Sequence, residues 1–437
     1  MTTVAEITPD HSEDPPGPGA AFAAHSDAGA LREADEVLDR LVATSGGRSD
    51  PYPHYRRLRE LAPFYRSGWD GLWYASRYDD CKAVLLDPRC GRGETDDALV
   101  RRHGSNPVFA RNFRRRLQRT MLMENPPEHT RLRGVVSRAF TPRRTADLRS
   151  RIAERVDGLL DQIAAAAEVD LMRALAFPLP VAVIGDLVGV PADEREQFRD
   201  LARATQAAAE PGASQEVMVE ALRAGDLQES YFVDLVARKR RQPGDDLLSA
   251  LIELRDAGGA LSEEEMVATA RLLFGAGFVT TTNLIGNGML TLFRNPDEMH
   301  RLWEDPGLAQ TTVEEILRYE SPVQMNGRAV LERLEVGGQQ LEQGDIVVAL
   351  VAGANRDPGR FADPERFDVG RQGETPLSFG WGIHHCLGAP LARLEGEIVF
   401  TKLVERFASV ELAGPEPEWT TSFLRGVANL PVRVVPR

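Results

Sequence analysis

The longest unbroken pattern in the chain starts at Ser262-Glu263-Glu264-Glu265. A serine followed three residues later by a glutamate is a capping box, the sequence mark of a helix start. No breaker follows until Asn295-Pro296, so a helix is expected to run to Phe293. Its roughly 32 residues would span about 48 Å. Leu272 to Gly288 carries no charge on any side, so this part is expected to be buried all round. Gly275-Ala276-Gly277 stands at its centre, followed by Thr280-Thr281-Thr282. A glycine inside a helix costs up to ~1 kcal/mol, so small residues here point to something large lying against the backbone.

Shorter helical patterns precede it: 145–166, 180–187, 192–208, 214–239 and 245–256. Pro178, Pro191, Pro211-Gly212, Pro243-Gly244 and Gly258-Gly259 separate them. No nucleotide-binding fingerprint occurs there. Towards the N-terminus, residues 1–48 are rich in Ala, Gly, Pro, Ser and acids without a sustained period. They are expected to be a disordered leader with a short helix near 31–41. Order is expected from Asp50-Pro51, with helices over 54–61 and 79–86 and strands over 64–66 and 72–75. Beyond the long helix come a helix over 312–319, period-2 strands near 328–331 and 345–350 about a Gly337-Gly338 turn, a helix over 387–407, and short strands over 408–437. The expected fold is mainly α with a small β region, an α+β architecture, as one catalytic domain over 49–437.

The chain has 437 residues, 42% of them hydrophobic, enough for a sizeable core. No run of eighteen apolar residues exists, so no membrane span is expected. Met1 to Ala24 carries acids and prolines without an apolar centre, which fits neither a signal peptide nor an anchor. Three cysteines make no disulfide framework, so a reducing cytoplasm is expected. A net charge of −14 argues against nucleic-acid partners. That charge is uneven: between Arg101 and Arg151 stand fourteen arginines against Glu124, Glu128 and Asp147. Arg111–Arg119 and Arg131–Arg144 read either as a solvated helical face or as a docking patch for an acidic partner.

The chemistry concentrates in Phe379-Gly380-Trp381-Gly382-Ile383-His384-His385-Cys386-Leu387-Gly388. Gly380 and Gly382 allow a tight turn and a close approach. Cys386 precedes Ala389-Pro390-Leu391, a helix start with proline in its first turn. A thiol there meets free backbone N–H groups and the positive end of a helix dipole, which lower its pKa. A thiolate so held is a metal ligand or a nucleophile. A zinc site on His384, His385 and Cys386 is a second reading, though adjacent donors diverge and no second Cys/His cluster completes a tetrahedron. Cys81 and Cys90 read as small buried hydrophobes.

The ten-residue stretch resembles the haem-ligand loop of the cytochrome P450 superfamily, which reads Phe-Gly-x-Gly-x-His-x-Cys-x-Gly. Phe379, Gly380, Gly382, His384, Cys386 and Gly388 fill every fixed place. The resemblance implies haem b (iron protoporphyrin IX) with Cys386 as the axial iron ligand, His384 on a propionate and Phe379 near the sulfur. Three further segments resemble the family in the right order. Glu124-Asn125-Pro126-Pro127-Glu128-His129-Thr130-Arg131-Leu132-Arg133 matches a segment whose His and second Arg bind propionates, here His129 and Arg133, with Asn125 where Asp is usual. Read alone, His129 and Arg133 at i and i+4 are a surface pair. Ala276, Gly277, Thr280 and Thr281 match the family's distal helix, which implies that Ala276 and Gly277 lie on the haem and that Thr280 and Thr281 support oxygen protonation. Val279 holds the place of the usual acid.

Glu315-Ile316-Leu317-Arg318 resembles the family's internal clamp, and Arg366 in Pro364-Glu365-Arg366-Phe367 matches its third member. Arg328 aligns with another propionate-binding arginine. Phe278, Val279, Val323, Phe423 and Leu424 fall where the substrate pocket would be lined. The resemblance implies a fold with haem between the long helix and the Cys386 loop. It further implies a cytoplasmic, monomeric monooxygenase that takes dioxygen and electrons from NAD(P)H through ferredoxin reductase and ferredoxin. The motif spelling looks like that of actinobacterial enzymes acting on small hydrophobic natural products, polyketides and macrolides among them. Two other readings stay open: an oxidase that couples, desaturates or rearranges without inserting oxygen, which Val279 favours, and a haem or zinc module without turnover.

Overall fold

The computed structural model describes residues 28–92, 120–137, 148–208, 213–258, 261–415, 417–420 and 423–437. In order the chain forms α1 (Ala28–Ala43), α2 (Ser45–Ser49), α3 (Tyr52–Leu61), β1 (Phe64–Arg66), β2 (Trp73–Ala75), α4 (Tyr78–Leu86), β3 (Cys90–Gly91), α5 (Glu128–Ser137) and α6 (Arg149–Ala166). There follow β4 (Glu168–Asp170), α7 (Pro178–Val188), α8 (Gln197–Ala207), α9 (Gln215–Arg241), α10 (Leu247–Asp256), the long α11 (Glu263–Arg294), α12 (Pro296–Glu304) and α13 (Ala309–Tyr319). The C-terminal third adds β5 (Asn326–Val330), β6 (Leu334–Val336), β7 (Gln339–Leu341), β8 (Ile346–Ala349), α14 (Val351–Ala354), α15 (Ala389–Arg406), β9 (Phe407–Leu412) and β10 (Pro431–Pro436). This is the expected mainly helical body with small sheets. Five strands pair in the order β1-β2-β8-β5-β3, with only β2 and β8 parallel; β4-β10-β9 and the β6-β7 hairpin are separate. Gly337 and Gly338 turn that hairpin with φ of 59° and 75°.

Helix α11 begins as its capping box requires. The Glu265 N–H donates to Ser262 Oγ, and the Ser262 N–H to Glu265 Oε2. Its second half is buried almost without interruption from Thr281 to Leu292. Two glycines permit close helix packing there. A Cβ on Gly288 would meet Phe400 of α15 at 2.6 Å, and one on Gly286 would meet the Met172 sulfur at 2.5 Å. One apolar cluster binds this half to α6, α13 and α15, and a second joins its first half to α5, α7, α8, α9 and α10.

The packed body starts earlier than the composition suggests. Helix α1 buries Ala34, Val37, Leu38, Leu41 and Val42 against Tyr52, Tyr55 and Leu58 of α3 and against the five-stranded sheet. The short helix expected near 31–41 is present as Ala28–Ala43, and its apolar residues at helical spacing pack it on the body, so it is not part of a disordered leader. Residues 1–27, the basic run Arg111–Arg119 and residues 138–144 lie outside the described residues. Among the described residues no helix is long and apolar enough to cross a membrane.

Candidate active site

The cysteine loop is shaped by its glycines. Gly380 and Gly382 have φ of 68° and 71°, where a side chain is strained, and a Cβ on Gly382 would lie 2.7 Å from the Leu85 carbonyl of α4. The Cys386 N–H donates to the Phe379 carbonyl at 2.9 Å and closes the loop. Arg393 of α15 stacks over the Phe379 ring at 4.5 Å. Ahead of the loop, Ser378 Oγ donates to the Leu317 carbonyl of α13 at 2.6 Å and accepts from Asn355 Nδ2 at 2.8 Å. The loop is thereby tied to the clamp helix.

Within the clamp, Arg318 meets Glu315 through two bonds of 2.7 and 2.8 Å, both side chains buried. Arg318 also donates to the carbonyls of Asn355, Pro364 and Arg366. The clamp's third member is Arg371, a second cation on Glu315, whose Nε lies 3.1 Å from Oε1. Arg366, expected in that role, points outward and sits near Glu298 and Asp368 at 3.8 and 3.7 Å. Only its backbone carbonyl belongs to the clamp. The chain turns between 366 and 371, and the direction of that turn, not nearness in sequence to the phenylalanine, decides which arginine faces inward.

Helix α5 brings His129 and Arg133 to the loop. Arg131, on its other side, bonds Glu128 and Glu265 and so ties α5 to the head of α11. Arg133 donates to the His385 carbonyl at 2.7 Å. The rings of His129 and His384 lie 4.4 Å apart. Arg328 of β5 is buried; one nitrogen bonds Asn326 Oδ1 at 2.6 Å while Nε and Nη2 have no partner. Both ring nitrogens of His129 and Nε2 of His384 are likewise buried without a partner. Burial pushes Arg328 down to about 9, with Arg92 assisting. Burial, then Arg92, Arg328, His129 and Arg133, push His384 down to about 2. Among the described residues no carboxylate acts on either.

Arg92 belongs to this cluster, though no spacing marks it. Its placement comes from Asn125, whose Oδ1 accepts from the Arg92 N–H and whose Nδ2 donates to the Arg92 carbonyl, both at 2.8 Å. An aspartate in that place could accept but not donate. The pairing of a lone amide with a residue 33 positions back could not be read from spacing.

The Cys386 sulfur is solvent-accessible yet closely surrounded by protein. Burial raises its pKa, against the pull of the Gly388 and Ala389 N–H groups and of Arg133 and Arg393. The expected N–H effect is therefore present, and desolvation outweighs it. A bound metal cation is what would hold this thiol as thiolate. A Cβ on Gly388 would lie 3.9 Å from the sulfur. Among the described residues no three His, Cys, Asp or Glu side chains converge as a metal-ligand set, so the zinc reading finds no support.

The middle of α11 sorts its residues by helical phase. Ala276 is exposed and Thr280, one turn on, is partly exposed, its hydroxyl donating to the Ala276 carbonyl at 3.3 Å. Gly277, expected beside them, faces away: a Cβ there would meet Ile184 of α7 at 2.6 Å. Phe278, expected in the pocket, is buried among Phe177 and Phe274. Thr281, expected to be catalytic, is buried as well. A motif aligns residues in a row, but successive residues turn by about 100°, so neighbours in the motif face different walls. Val279 and Leu387 both pack on the second core cluster, which thereby links α11 and the cysteine loop. Val323 and Leu424 form an isolated bridge, and the Gln324 N–H donates to the Phe423 carbonyl, so the three expected wall residues do come together.

What the buried donors lack is an anion. A flat group bearing two carboxylates, with a metal for the cysteine sulfur, would satisfy them, and that describes the thiolate-ligated haem proteins. Comparison with known proteins agrees. The family model described as Cytochrome P450 matches residues 214–306 and 307–433. Cytochrome P450 107B1 of Saccharopolyspora erythraea is 41% identical over 412 residues, covering 91% of this chain and 98% of that protein. The polyketide biosynthesis cytochrome P450 PksS of Bacillus subtilis is 37% identical, covering 90% and 99%. The crystal structure of P450BioI, in complex with an acyl carrier protein carrying hexadec-9Z-enoic acid, superposes with a TM-score of 0.82 at 35% identity, covering 90% of this chain and 100% of that one. The chain belongs to the cytochrome P450 family and is a P450 monooxygenase.

Proposed function

We propose that this monooxygenase carries haem b and hydroxylates or epoxidises a small hydrophobic natural product of polyketide or macrolide kind. Dioxygen is the oxidant, and electrons pass from NAD(P)H through a ferredoxin reductase and a ferredoxin. The observation that carries this reading is the buried group of Arg328, His129 and His384 beside the Cys386 loop, with no acid among the described residues to satisfy them. Cys386 would supply the axial sulfur. His129, Arg133, Arg328 and His384, with Arg92, would hold the propionates, and Ala276 is small enough to let a ring lie against α11. A thiolate-ligated haem, when bound, supplies dioxygen activation by favouring O–O cleavage.

The chain's own residues do the rest. Thr280 places a hydroxyl on the accessible face of α11, and its bond of 3.3 Å to the Ala276 carbonyl is long enough to be exchanged for a better partner. That hydroxyl can order and pass a proton. Val323, Phe423 and Leu424 supply an apolar wall that orients a substrate and excludes water. The polyketide assignment rests on the relative named for polyketide biosynthesis and is analogy of fold and sequence. The test is the spectrum of the reduced protein with carbon monoxide. The red-shifted band of thiolate-ligated haem is expected, and its loss in Cys386→Ser; a wild-type band of histidine-ligated type would overturn the reading.

A second reading is kept open by Val279, which is partly buried where the resembled motif has an acid. A P450 that couples or desaturates still takes up two protons per dioxygen, and only one that rearranges its substrate without reducing dioxygen is spared proton delivery. Product analysis under labelled dioxygen separates the two, since only monooxygenation leaves label in the product.

A further inference from the structure

The face of α11 that carries Ala276 and Thr280 continues as Asn283 and Asn287. These four residues at i, i+4, i+7 and i+11 fall within about 60° of one another around the axis. Both asparagines are buried. Asn283 Nδ2 donates to the Leu424 carbonyl at 3.1 Å, and Asn287 Nδ2 donates to the Arg425 carbonyl at 3.0 Å and the Glu320 carbonyl at 3.4 Å. Two amides one helical turn apart thus hold two consecutive carbonyls of one turn. Contact is close enough that a Cβ on Gly426 would meet Asn283 Oδ1 at 2.3 Å. The turn is gripped from behind as well, by the buried Arg425, which bonds Glu320 and the carbonyls of Arg48 and Ser49.

We propose that Asn283 and Asn287 are positioning residues that fix the 423–426 turn to α11 and so set how large a molecule fits above Thr280. The inference rests on the reading of this cleft as a haem pocket. The helix face allows little else: Asn283 follows Thr280 by three residues, roughly 4.5 Å along the axis. Whatever Asn283 holds therefore borders the accessible stretch. An apolar contact would hold the turn less specifically, because a buried carbonyl without a donor is costly.

The test compares two ligands of haem iron in the haem-loaded protein by optical titration. Imidazole is too small to reach the turn, whereas clotrimazole, an imidazole bearing three aryl rings, must pack against it. Asn283→Ala and Asn283→Asp remove the donor; Gly426→Ala pushes on the same contact from the other side and serves if the asparagine variants do not fold. The expected result is an imidazole Kd within about twofold of wild type and a clotrimazole Kd changed by about tenfold or more. Equal changes for both ligands would mean a merely structural role and would overturn the proposal, as would no change for either. A wild-type protein that binds haem but gives no imidazole shift would instead overturn the haem-pocket reading beneath it.

Discussion

The imidazoles of His129 and His384 face each other at 4.4 Å, tilted by 59°, and no partner satisfies either ring nitrogen of His129 or Nε2 of His384. The two residues are 255 positions apart and come from α5 and the cysteine loop. Burial first, then Arg92, Arg328, His129 and Arg133, keep His384 neutral well below its usual range. A neutral imidazole offers one N–H donor. Two such rings beside arginines make a receptor for carboxylates that gains its full strength only when the carboxylates arrive.

This predicts opposite effects on the haem-free and haem-loaded protein. Arg328 is a buried cation with two unpaired nitrogens. Arg328→Met removes that cost, so the haem-free chain should gain about 1–2 kcal/mol in denaturant unfolding. The same change deletes a charge-assisted contact, so haem should pass to excess apo-globin about 10–100 times faster. A variant that loses stability without haem, or holds haem as well as wild type, would show that Arg328 does not serve a carboxylate.

The clamp separates what a motif can tell from what it cannot. Glu315 and Arg318 were legible because i, i+3 spacing fixes their geometry on one helix. The third member was not, because a loop brings it in and its identity depends on which side chain the loop turns inward. Arg371→Ala should cost about 1–3 kcal/mol, leaving Glu315 with one cation fewer in a buried site. Arg366→Ala should stay within about 0.5 kcal/mol, since its ion pairs are exposed. Chemical denaturation of both variants decides it; a larger loss for Arg366→Ala would restore the assignment made from the motif.

Asp80, in the first turn of α4, has a buried Oδ2 without a partner, and burial raises its pKa to about 6. The folded protein then binds more protons than the unfolded chain between the ordinary carboxylate range and about pH 6. Stability falls as pH rises through that window, and the cost is complete above it. Asp80→Asn should therefore match wild type near pH ~4 and exceed it by about 1–2 kcal/mol above pH ~6.5. A difference independent of pH would mean that the gain comes from something other than the charge.

The long helix shows the same division as the clamp. Its start, length and buried second half follow from the capping box and the uncharged run. Its rotational phase does not, because a segment apolar on every side has no moment to orient it. Gly277 packs on Ile184 and Phe278 joins an aromatic cluster only because α7 and α8 lie on that side. Arg92 was hidden for a related reason, as it owes its position to Asn125 across a long stretch of chain. Long-range pairings of this kind leave no period in the sequence.

Thr280 and Val279 define the proton problem of this enzyme. Valine cannot donate, accept or order water, and Val279 packs against the second core cluster. Thr280 keeps its hydroxyl on the accessible face, while Thr281 is buried. Losing a catalytic proton donor typically costs about 10²–10⁴-fold, so a native enzyme without the acid needs a substitute, and Thr280 with water or a substrate hydroxyl can provide it. Thr280→Ala should lower product formed per NAD(P)H and raise peroxide release, whereas Thr281→Ala should mainly lower the melting temperature. Val279→Glu should not speed the native reaction, because the carboxyl would enter an apolar wall and be held protonated by desolvation. Unchanged coupling in Thr280→Ala would show that the protons travel elsewhere, and a large gain in Val279→Glu would show that no substitute relay exists.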